Sequence, residues 1–314
     1  MTEAHNDNGD IDLSVVVVTL VDQAHLDHCL ETLTKQQTTA RFEVIIPCDE
    51  SLGDVNAMIM RYRDWNFVRT HGTQTYAQLR SFGVRQARGR LVAVTEDHCL
   101  PEPDWVQSIV DEHNNEPVAI GGVVEKTPPD EALNWAVYFL DYLRYMPPVE
   151  AGETHELTDL NVSYKMSALQ EIADVWEREF HEPNVHGALA ARGGKLWLSP
   201  NIMVKQRRRL EIEHALWDRY AFGRLFGSTR VADAPLGKRL LYAALAPALP
   251  VLLVARLAGH IRRKKRHRKE FFMALPAILL LASAWAYGEF IGYVTRKSDP
   301  RLAPQPEPEP WPDP

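Results

Sequence analysis

Residues Leu13 to Leu20 have the sequence LSVVVVTL, a nearly continuous run of aliphatic and β-branched side chains. A strand with one face in water alternates apolar and polar residues, whereas a strand buried on both faces of a parallel sheet is apolar along most of its length. The run therefore predicts a central strand of a parallel sheet, and this prediction decides the fold class.

Further segments of the same kind follow along the chain, separated by stretches of helical character. Apolar residues recur at Leu26, Leu30 and Leu33, which is the spacing of one helix face. Strands that alternate with helices indicate βαβ units and a doubly wound α/β layer, in which ligands bind beyond the carboxyl ends of the strands. We predict strands at 42–46 (FEVII), 66–70, 91–95 (LVAVT) and 118–124, and helices at 22–38, 52–63, 75–88 and 104–115.

The composition is that of an ordinary globular protein and excludes several other classes. The 314 residues are 45% hydrophobic and 25% charged, which excludes a wholly disordered chain, a collagen and a coiled-coil rod. Cys29, Cys48 and Cys99 form no CxxC pair, so we expect neither a disulfide scaffold nor a zinc ribbon, and the few cysteines suit a reducing compartment. The acidic, polar start MTEAHNDNGDID is unlike a signal peptide.

Charge is distributed unevenly along the chain. The balance of basic and acidic residues is −15 in residues 1–223, +10 in 224–270 and −2 in 271–314. The basic part contains the run RRKKRHRK at 262–269, which lies between two apolar segments at 240–258 and 271–293. Each apolar segment is near the roughly 20 residues needed to cross a bilayer. This pattern favours an anionic membrane surface as a partner and argues against nucleic acid.

Three arrangements of the apolar pair are open. A hairpin that crosses the membrane twice, with its basic loop kept in the cytoplasm, would place the rest of the chain outside the cell. A re-entrant or in-plane pair, with the basic loop on anionic lipid, keeps the whole chain on the cytoplasmic side and is the arrangement we favour. In the third arrangement, the pair is buried in a soluble oligomer. The oligomeric state itself is left open.

Polar side chains directly follow the predicted strand at 91–95. Glu96, Asp97 and His98 lie there, and prolines at 101 and 103 stiffen the turn that follows. A carboxylate, one spacer and a second ligand-type residue at a strand end can hold a divalent cation against a diphosphate. Carboxylate suits Mg²⁺ or Mn²⁺, and imidazole favours Mn²⁺ over Mg²⁺. Taken alone, the same residues also fit an ordinary polar turn.

The order of several such pieces resembles a family-2 glycosyltransferase of the GT-A fold. A hydrophobic strand ends in threonine at VVVVTL, a second strand ends in acidic residues at IIPCDES, and Glu96-Asp97-His98 stands where this family has its DxD metal motif. The resemblance covers about residues 12–210. Its other pieces are the helix pattern Arg80-x-x-Gly83-x-x-x-Ala87-x-Gly89, the turn PEPDW at 101–105, and the segments NVSY at 161–164, FHE at 180–182 and GGKL at 193–196.

The resemblance, together with the hydropathy and composition of the remaining residues, predicts a division of the chain into four parts. Residues 12–232 would form a GT-A-like α/β domain, with a doubly wound, mostly parallel sheet flanked by helices. Residues 233–295 would form a membrane-associated C-terminal apolar helical pair with the basic loop 262–269. Residues 1–11 and the Pro/Glu-rich residues 296–314 would be disordered tails.

The resemblance also implies which residues bind a nucleotide-sugar donor. Asp49 would contact the base or the ribose, and Thr19 would line the same pocket. Arg80 would approach the diphosphate, the alternative being an ion pair on the helix surface. We also count Glu96 and Asp97 among the donor-binding residues.

Glu96 and His98 occupy the DxD positions and would bind Mn²⁺ or Mg²⁺, with His98 the more direct ligand. The motif departs from the family pattern, because it is Glu-x-His rather than Asp-x-Asp, and this leaves the identity of the metal open. A cation there would neutralise the charge that develops on the departing nucleoside diphosphate.

Glu182 falls where the family places its general base, although the element is His181-Glu182 rather than Glu-Asp. It would deprotonate an acceptor hydroxyl, which then attacks the anomeric carbon from the opposite face. Glu179 is the alternative base, and His186 would either assist the base or cap a turn.

These expectations combine into an inverting, metal-dependent, hexosyltransferase-like glycosyltransferase at the cytoplasmic side of the cell membrane. Its acceptor would be a saccharide or a lipid-linked glycan, as in polysaccharide biosynthesis. One alternative is a non-catalytic membrane scaffold that retains the fold. A less favoured alternative is a nucleotidyltransferase, which usually has a glycine-rich loop after the first strand, whereas VTLVDQAH contains no glycine.

Overall fold

The structure is a computed structural model that describes residues 11–208 and 210–299. Most of the two predicted tails, at 1–11 and 296–314, therefore lies outside the described residues. Contact clustering divides the chain into two compact units. The sheet unit comprises residues 1–127 and 145–207, and the helical unit comprises residues 128–144 and 208–314.

The sheet unit contains one nine-stranded sheet with helices between its strands. Its strand order is β3-β2-β1-β4-β8-β6-β9-β5, and β7 pairs with β9. The strands are β1 (Leu13–Val18), β2 (Phe42–Cys48), β3 (Asn66–Arg69), β4 (Leu91–Glu96), β5 (Cys99–Pro101), β6 (Ala119–Lys126), β7 (Gly152–Thr154), β8 (Val162–Lys165) and β9 (Leu196–Gln206). The helices of this unit are α1 (Gln23–Thr34), α2 (Asn56–Arg61), α3 (Tyr76–Arg85), α4 (Trp105–Glu112), α6 (Met166–Gln170), α7 (Ala173–Trp176) and α8 (Glu182–Ala191), while α5 (Ala132–Asp141) belongs to the helical unit.

The predicted α/β fold with a mostly parallel sheet is confirmed. Strand β1 is buried along its whole length and pairs in parallel with β2 on one side and β4 on the other. Strands β3, β6 and β9 run in the same direction, whereas β5, β7 and β8 run against it. Residues 13–18 of the predicted apolar run therefore form a central strand, because both faces of this strand lie in the core.

Helix α3 approaches β1 closely, and a glycine makes this approach possible. A Cβ atom on Gly83 would lie 2.3 Å from Cγ1 of Val16 and 3.3 Å from Cγ of Pro47. Both distances are shorter than an ordinary van der Waals contact. The glycine of the Arg-x-x-Gly pattern thus brings α3, with Arg80 on it, against the sheet.

The helical unit also contains α9 (Ile212–Arg230), α10 (Leu236–Leu245), α11 (Leu249–Lys264) and α12 (Arg268–Thr295). The predicted C-terminal apolar pair is confirmed as helical, with a short 3-10 turn between α10 and α11. Residues 236–264 and 268–295 are long and apolar enough to cross a membrane by length and composition alone. Several of their large apolar side chains are more than half exposed, among them Leu240, Leu241, Leu252 and Phe272.

The helical unit includes α5 and α9, whereas the predicted division placed both helices in the α/β domain that ends at residue 232. Helix α9 belongs to the helical unit because it packs on α12, and α5 packs on α12 as well. The α9–α12 contact is close, since a Cβ on Gly227 would lie 2.5 Å from the carbonyl oxygen of Glu289, and one on Gly292 would lie 2.4 Å from that of Arg224. Small residues that allow two helix backbones to meet are typical of helix pairs in membranes.

We expect Gly83→Ala to lower the stability of the chain by about 1–3 kcal/mol, because the added methyl group has no space between α3 and β1. Thermal unfolding followed by circular dichroism measures this loss. Gly187→Ala is a matched control in α8, because a Cβ there has no heavy atom within 4 Å. The control should be neutral or slightly stabilising, since alanine favours a helix more than glycine does. Equal unfolding temperatures for Gly83→Ala and the wild type would contradict the close contact.

Candidate functional site

The carboxyl ends of β1, β2 and β4 lie at one edge of the sheet, and the predicted donor-binding residues meet there. Oγ1 of Thr19 donates a hydrogen bond to the carbonyl oxygen of Pro47 at 3.0 Å. The backbone N–H of Asp97 donates to the carbonyl oxygen of Val18 at 2.9 Å. Parallel strands place their carboxyl ends side by side, so residues far apart in sequence converge.

Asp49 holds two loops together at this edge. Its Oδ1 accepts from the backbone N–H of Ser51 at 2.9 Å, and its Oδ2 accepts from the backbone N–H of Gln74 at 2.6 Å. The carboxylate is buried. A contact of Asp49 with the base or the ribose of a donor stays a prediction, and the structure adds that this carboxylate fixes the loop before α3.

Asp97 is a second anchor of the same kind. Its Oδ2 accepts from the backbone N–H groups of Leu20 and Val21 at 2.8 and 2.7 Å, and the side chain is fully buried. The middle residue of the Glu-x-His motif thus ties the loop after β1 to the end of β4. A contact of Asp97 with the donor stays a prediction.

His98 and Glu96 point toward one another, as a shared cation requires. Nδ1 of His98 lies 3.5 Å from Oε2 of Glu96 and 3.5 Å from Oδ1 of Asp97. Neither ring nitrogen of His98 has a hydrogen-bond partner among the described residues, and the ring is enclosed. A buried imidazole that makes no hydrogen bond and lies beside carboxylates has the chemistry of a divalent-cation ligand.

The described residues do not by themselves supply a complete coordination sphere. Among residues 11–208 and 210–299, no group of three or more His, Cys, Asp or Glu side chains is arranged to hold a metal. Magnesium and manganese sites in phosphate-binding proteins commonly use one or two protein ligands and take the remainder from phosphate and water. Glu96 and His98 fit such a partial site.

Arg80 is almost completely enclosed, with 1% of its surface exposed. Its Nη2 lies 2.7 Å from Oε1 of Glu96 and 3.3 Å from Oδ2 of Asp159, and its Nη1 lies 2.5 Å from Oε1 of Glu182. The guanidinium also lies over the ring of Tyr76, 4.8 Å from its centroid. Burial alone would lower the pKa of Arg80, but Glu182, Asp159 and Glu96 outweigh burial and raise it, so the group stays charged.

Glu182 begins helix α8 and is buried, with its carboxylate held against Arg80. Burial raises the pKa of this carboxyl to about 7, even though Arg80 lowers it. Such a group can accept a proton at neutral pH more readily than an ordinary carboxylate. The alternative base, Glu179, is partly exposed and pairs with His181 at 3.2 Å.

Glu182 also forms part of the wall of a cavity of about 720 Å³ in the sheet unit. His186 lies on the same wall, and its Nε2 is 2.9 Å from the hydroxyl oxygen of Tyr164. Burial lowers the pKa of His186 to about 4, so the imidazole is neutral at pH 7. The other lining residues are Tyr145, Glu153, Thr154, His155, Glu156, Leu157, Pro183, Gly187, Ala190, Gly193, Gly194, Lys195 and Leu196.

Two residues of this cluster, Asp159 and Tyr76, were not among the sequence-predicted site residues. Asp159 lies two positions before the NVSY segment at 161–164, and Tyr76 lies four positions before Arg80 on α3. Their proximity to family motifs is the signal that could have found them. Tyr76 faces the guanidinium because residues four apart lie on one side of a helix.

Comparison with known proteins identifies the family of the chain. The family model described as "Glycosyl transferase family 2" matches residues 14–173. A chondroitin synthase of Pasteurella multocida is 31% identical over 121 residues, which are 36% of this chain and 12% of the relative. A glucosyl-dolichyl phosphate glucuronosyltransferase of Haloferax volcanii is 30% identical over 77 residues, which are 24% of this chain and 22% of the relative. The chain thus spans less than a quarter of the length of these relatives.

A solved structure supports the fold over nearly the whole chain. It is that of a mannosyltransferase from Pyrobaculum calidifontis in complex with GDP-Man and Mn²⁺, and it aligns with a TM-score of 0.54 at 14% identity. The alignment covers 90% of this chain and 88% of the mannosyltransferase. At this identity the likeness concerns the fold alone, and it confirms the predicted fold class.

We expect Glu182→Gln to become more stable relative to the wild type as pH rises from 5 to 8. The neutral carboxyl is compatible with burial, whereas its ionised form is disfavoured in the folded chain, so the wild type loses stability as pH rises through about 7. The relative gain should be roughly 1–3 kcal/mol, and thermal unfolding at several pH values measures it. Glu179→Gln, which removes a carboxylate that does not line the cavity, is the control. A difference that stays constant from pH 5 to pH 8 would contradict the raised pKa.

Proposed function

The chain belongs to glycosyl transferase family 2, and on that premise we propose that it transfers a sugar from a nucleotide-diphosphate sugar to an acceptor hydroxyl. The observation that supports this most directly is the link made by Arg80 between Glu96 at the strand edge and Glu182 on the cavity wall. On one side of the link lie the residues that the family resemblance assigns to the donor. On the other side lies Glu182, whose pKa is raised to about 7 by burial.

On the donor side, Thr19, Asp49, Glu96 and Asp97 would shape the nucleotide pocket at the carboxyl ends of the strands. Glu96 and His98 would hold a divalent cation. This assignment is supported by the buried imidazole, whose nitrogens make no hydrogen bond within the described residues and whose Nδ1 lies 3.5 Å from Oε2 of Glu96. When bound, this cation would neutralise negative charge on the departing nucleoside diphosphate. A solved structure of the same fold contains GDP-Man and Mn²⁺, and we extend the use of a nucleotide sugar and a divalent metal to this chain as part of the proposal.

On the acceptor side, the cavity beside Glu182 would admit the acceptor sugar. Oε1 or Oε2 of Glu182 takes the proton of the acceptor hydroxyl as its oxygen forms a bond to the anomeric carbon. The bond between the anomeric carbon and the diphosphate oxygen breaks on the opposite face, which inverts the configuration at that carbon. General base catalysis of this kind commonly increases the rate of a reaction roughly 10²–10⁴-fold.

The helical unit supports a membrane location for this reaction. Its helices expose large apolar side chains, and the basic loop 262–269 joins α11 to α12. We propose that the unit lies in the cytoplasmic leaflet as a re-entrant or in-plane helical region, with the basic loop on anionic lipid. The name of one relative, glucosyl-dolichyl phosphate glucuronosyltransferase, describes a lipid-linked acceptor. We extend a lipid-linked acceptor to this chain as part of the proposal.

With Mn²⁺ present, we expect the purified chain to bind a UDP- or GDP-sugar and to transfer its sugar to a saccharide acceptor. Glu96→Ala and His98→Ala should each weaken Mn²⁺-dependent binding at least about tenfold, because each removes a metal ligand. Calorimetric titration of a panel of nucleotide sugars, with and without Mn²⁺, measures this. Glu31→Ala and His28→Ala on the exposed side of α1 are matched controls for the loss of a carboxylate and an imidazole. Full turnover in the Glu96→Ala, His98→Ala double variant would contradict the proposed metal site. If the wild type binds a nucleotide sugar but transfers no sugar, the non-catalytic scaffold is favoured instead.

We expect protease to reach both chain ends and the basic loop 262–269 from the same side of a membrane vesicle. Inside-out vesicles expose the cytoplasmic leaflet, so tags at the two ends and the loop should all be cleaved there, and all should be protected in right-side-out vesicles. A hairpin that crosses the membrane twice would instead place the loop and the ends on opposite sides. That pattern of cleavage would overturn the re-entrant arrangement.

A further inference from the structure

We propose that Arg80 is a positioning residue that holds the base Glu182 in register with the donor-side carboxylate Glu96, rather than a ligand of the donor diphosphate. This inference rests on the proposed function. It differs from the diphosphate contact that the family resemblance implies, and the contacts of the guanidinium are what support it.

The first support is the geometry of the guanidinium. Nη2 contacts Glu96 at 2.7 Å and Nη1 contacts Glu182 at 2.5 Å, so the two terminal nitrogens face carboxylates that are 86 positions apart in the sequence. Asp159 adds a third carboxylate at 3.3 Å from Nη2. A planar guanidinium presents its donors as a rigid fork, so it fixes the distance between two carboxylates better than a flexible ammonium does.

The second support is burial. Only 1% of the Arg80 side chain is exposed, and the ring of Tyr76 covers one face of the guanidinium. A diphosphate that bound Nη1 would displace Glu182, and one that bound Nη2 would displace Glu96. Displacing either one would leave a carboxylate without its cation inside the protein, which is strongly unfavourable.

The third support is that the backbones on both sides of the ion pair are joined. The backbone N–H of Phe180 donates to the carbonyl oxygen of Ala77 at 2.8 Å, and Oγ of Ser81 donates to the carbonyl oxygen of Glu177. A capping box between Thr75 and Gln78 fixes the start of α3. The segment that leads into Glu182 is therefore fastened to the helix that carries Arg80.

The charge of Arg80 also affects the pH at which Glu182 ionises. One guanidinium faces three carboxylates, so removing it leaves Glu182 next to like charges only. The ionised form of Glu182 would then be harder to reach, and the base would become active at a higher pH. The titratable or charged groups that face Glu182, or that flank it on neighbouring elements, are Tyr76 and Arg80 on α3, Glu96 on β4, Asp159 before β8, Tyr164 on β8, His186 on α8, and Glu179 and His181 before α8.

The test compares Arg80→Gln and Arg80→Lys with the wild type in the full chain with Mn²⁺. Two quantities are measured separately: the Kd of the nucleotide sugar by calorimetry, and kcat for transfer from pH 5.5 to 9. For Arg80→Gln we expect kcat to fall at least about 100-fold, the donor Kd to stay within about threefold, and the acidic limb of the pH profile to move to higher pH. Arg80→Lys should recover part of kcat, since an ammonium can still pair with one carboxylate.

Two variants serve as controls. Arg85→Gln removes an arginine from the same helix whose guanidinium lies over the ring of Phe82 at 4.8 Å, and it should leave both quantities unchanged. Glu182→Gln should abolish the acidic limb and leave donor binding in place. If Arg80→Gln fails to fold by circular dichroism, Arg80→Lys alone still gives the comparison of kcat with donor Kd.

A donor Kd weakened tenfold or more in Arg80→Gln or Arg80→Lys, with kcat at saturation retained, would overturn the proposal and make Arg80 a diphosphate ligand. Absence of any nucleotide-sugar binding by the wild type would contradict the proposed function instead. In that case, titration of the Glu182 carboxyl by ¹³C NMR decides the present inference, with Glu182→Gln assigning the signal. A higher titration midpoint in Arg80→Gln than in the wild type supports the positioning role, and an unchanged midpoint overturns it.

Discussion

The ion pairs of Arg80 with Glu96 and Glu182 are the interaction on which the rest of the site depends. Charged groups lose their hydration when they are buried, so each of these side chains is tolerable in the interior only because the others are present. Removing one partner from such a buried pair typically costs about 3–5 kcal/mol. The backbone bonds between α3 and residues 177–180 hold these partners in place.

The edge of the sheet explains why the carboxylates of the site have different roles. Asp49 and Asp97 accept hydrogen bonds from backbone N–H groups of neighbouring loops, so they fix the shape of the edge. Glu96 faces Arg80 and His98, and Glu182 faces the cavity. The same kind of side chain thus anchors a loop in one place and has the environment of a reactive group in another, because burial and hydrogen-bond partners differ.

The helical unit follows a different physical rule from the sheet unit. Its helices are joined through glycines that let α9 and α12 meet at their backbones, while large apolar side chains face outward. Exposure of such an apolar surface to water is unfavourable, whereas contact of the same surface with lipid tails has no such cost. The apolar character of 240–258 and 271–293 predicted two helices here, but nothing in the composition of α5 or α9 predicted that they pack on α12.

Local sequence was sufficient for the first strands and helices of the sheet unit. The apolar run at 13–20 determined a buried parallel strand, and the spacing of Leu26, Leu30 and Leu33 determined the helix after it. The glycine of the Arg80-x-x-Gly83 pattern determined that a helix lies close on the sheet. These features are local because burial and side-chain periodicity act within a few residues. Only the tertiary structure decided what Arg80 contacts. Its carboxylate partners come from positions 96, 159 and 182, and ion pairing in a buried site depends on distances in space that no short stretch of sequence contains.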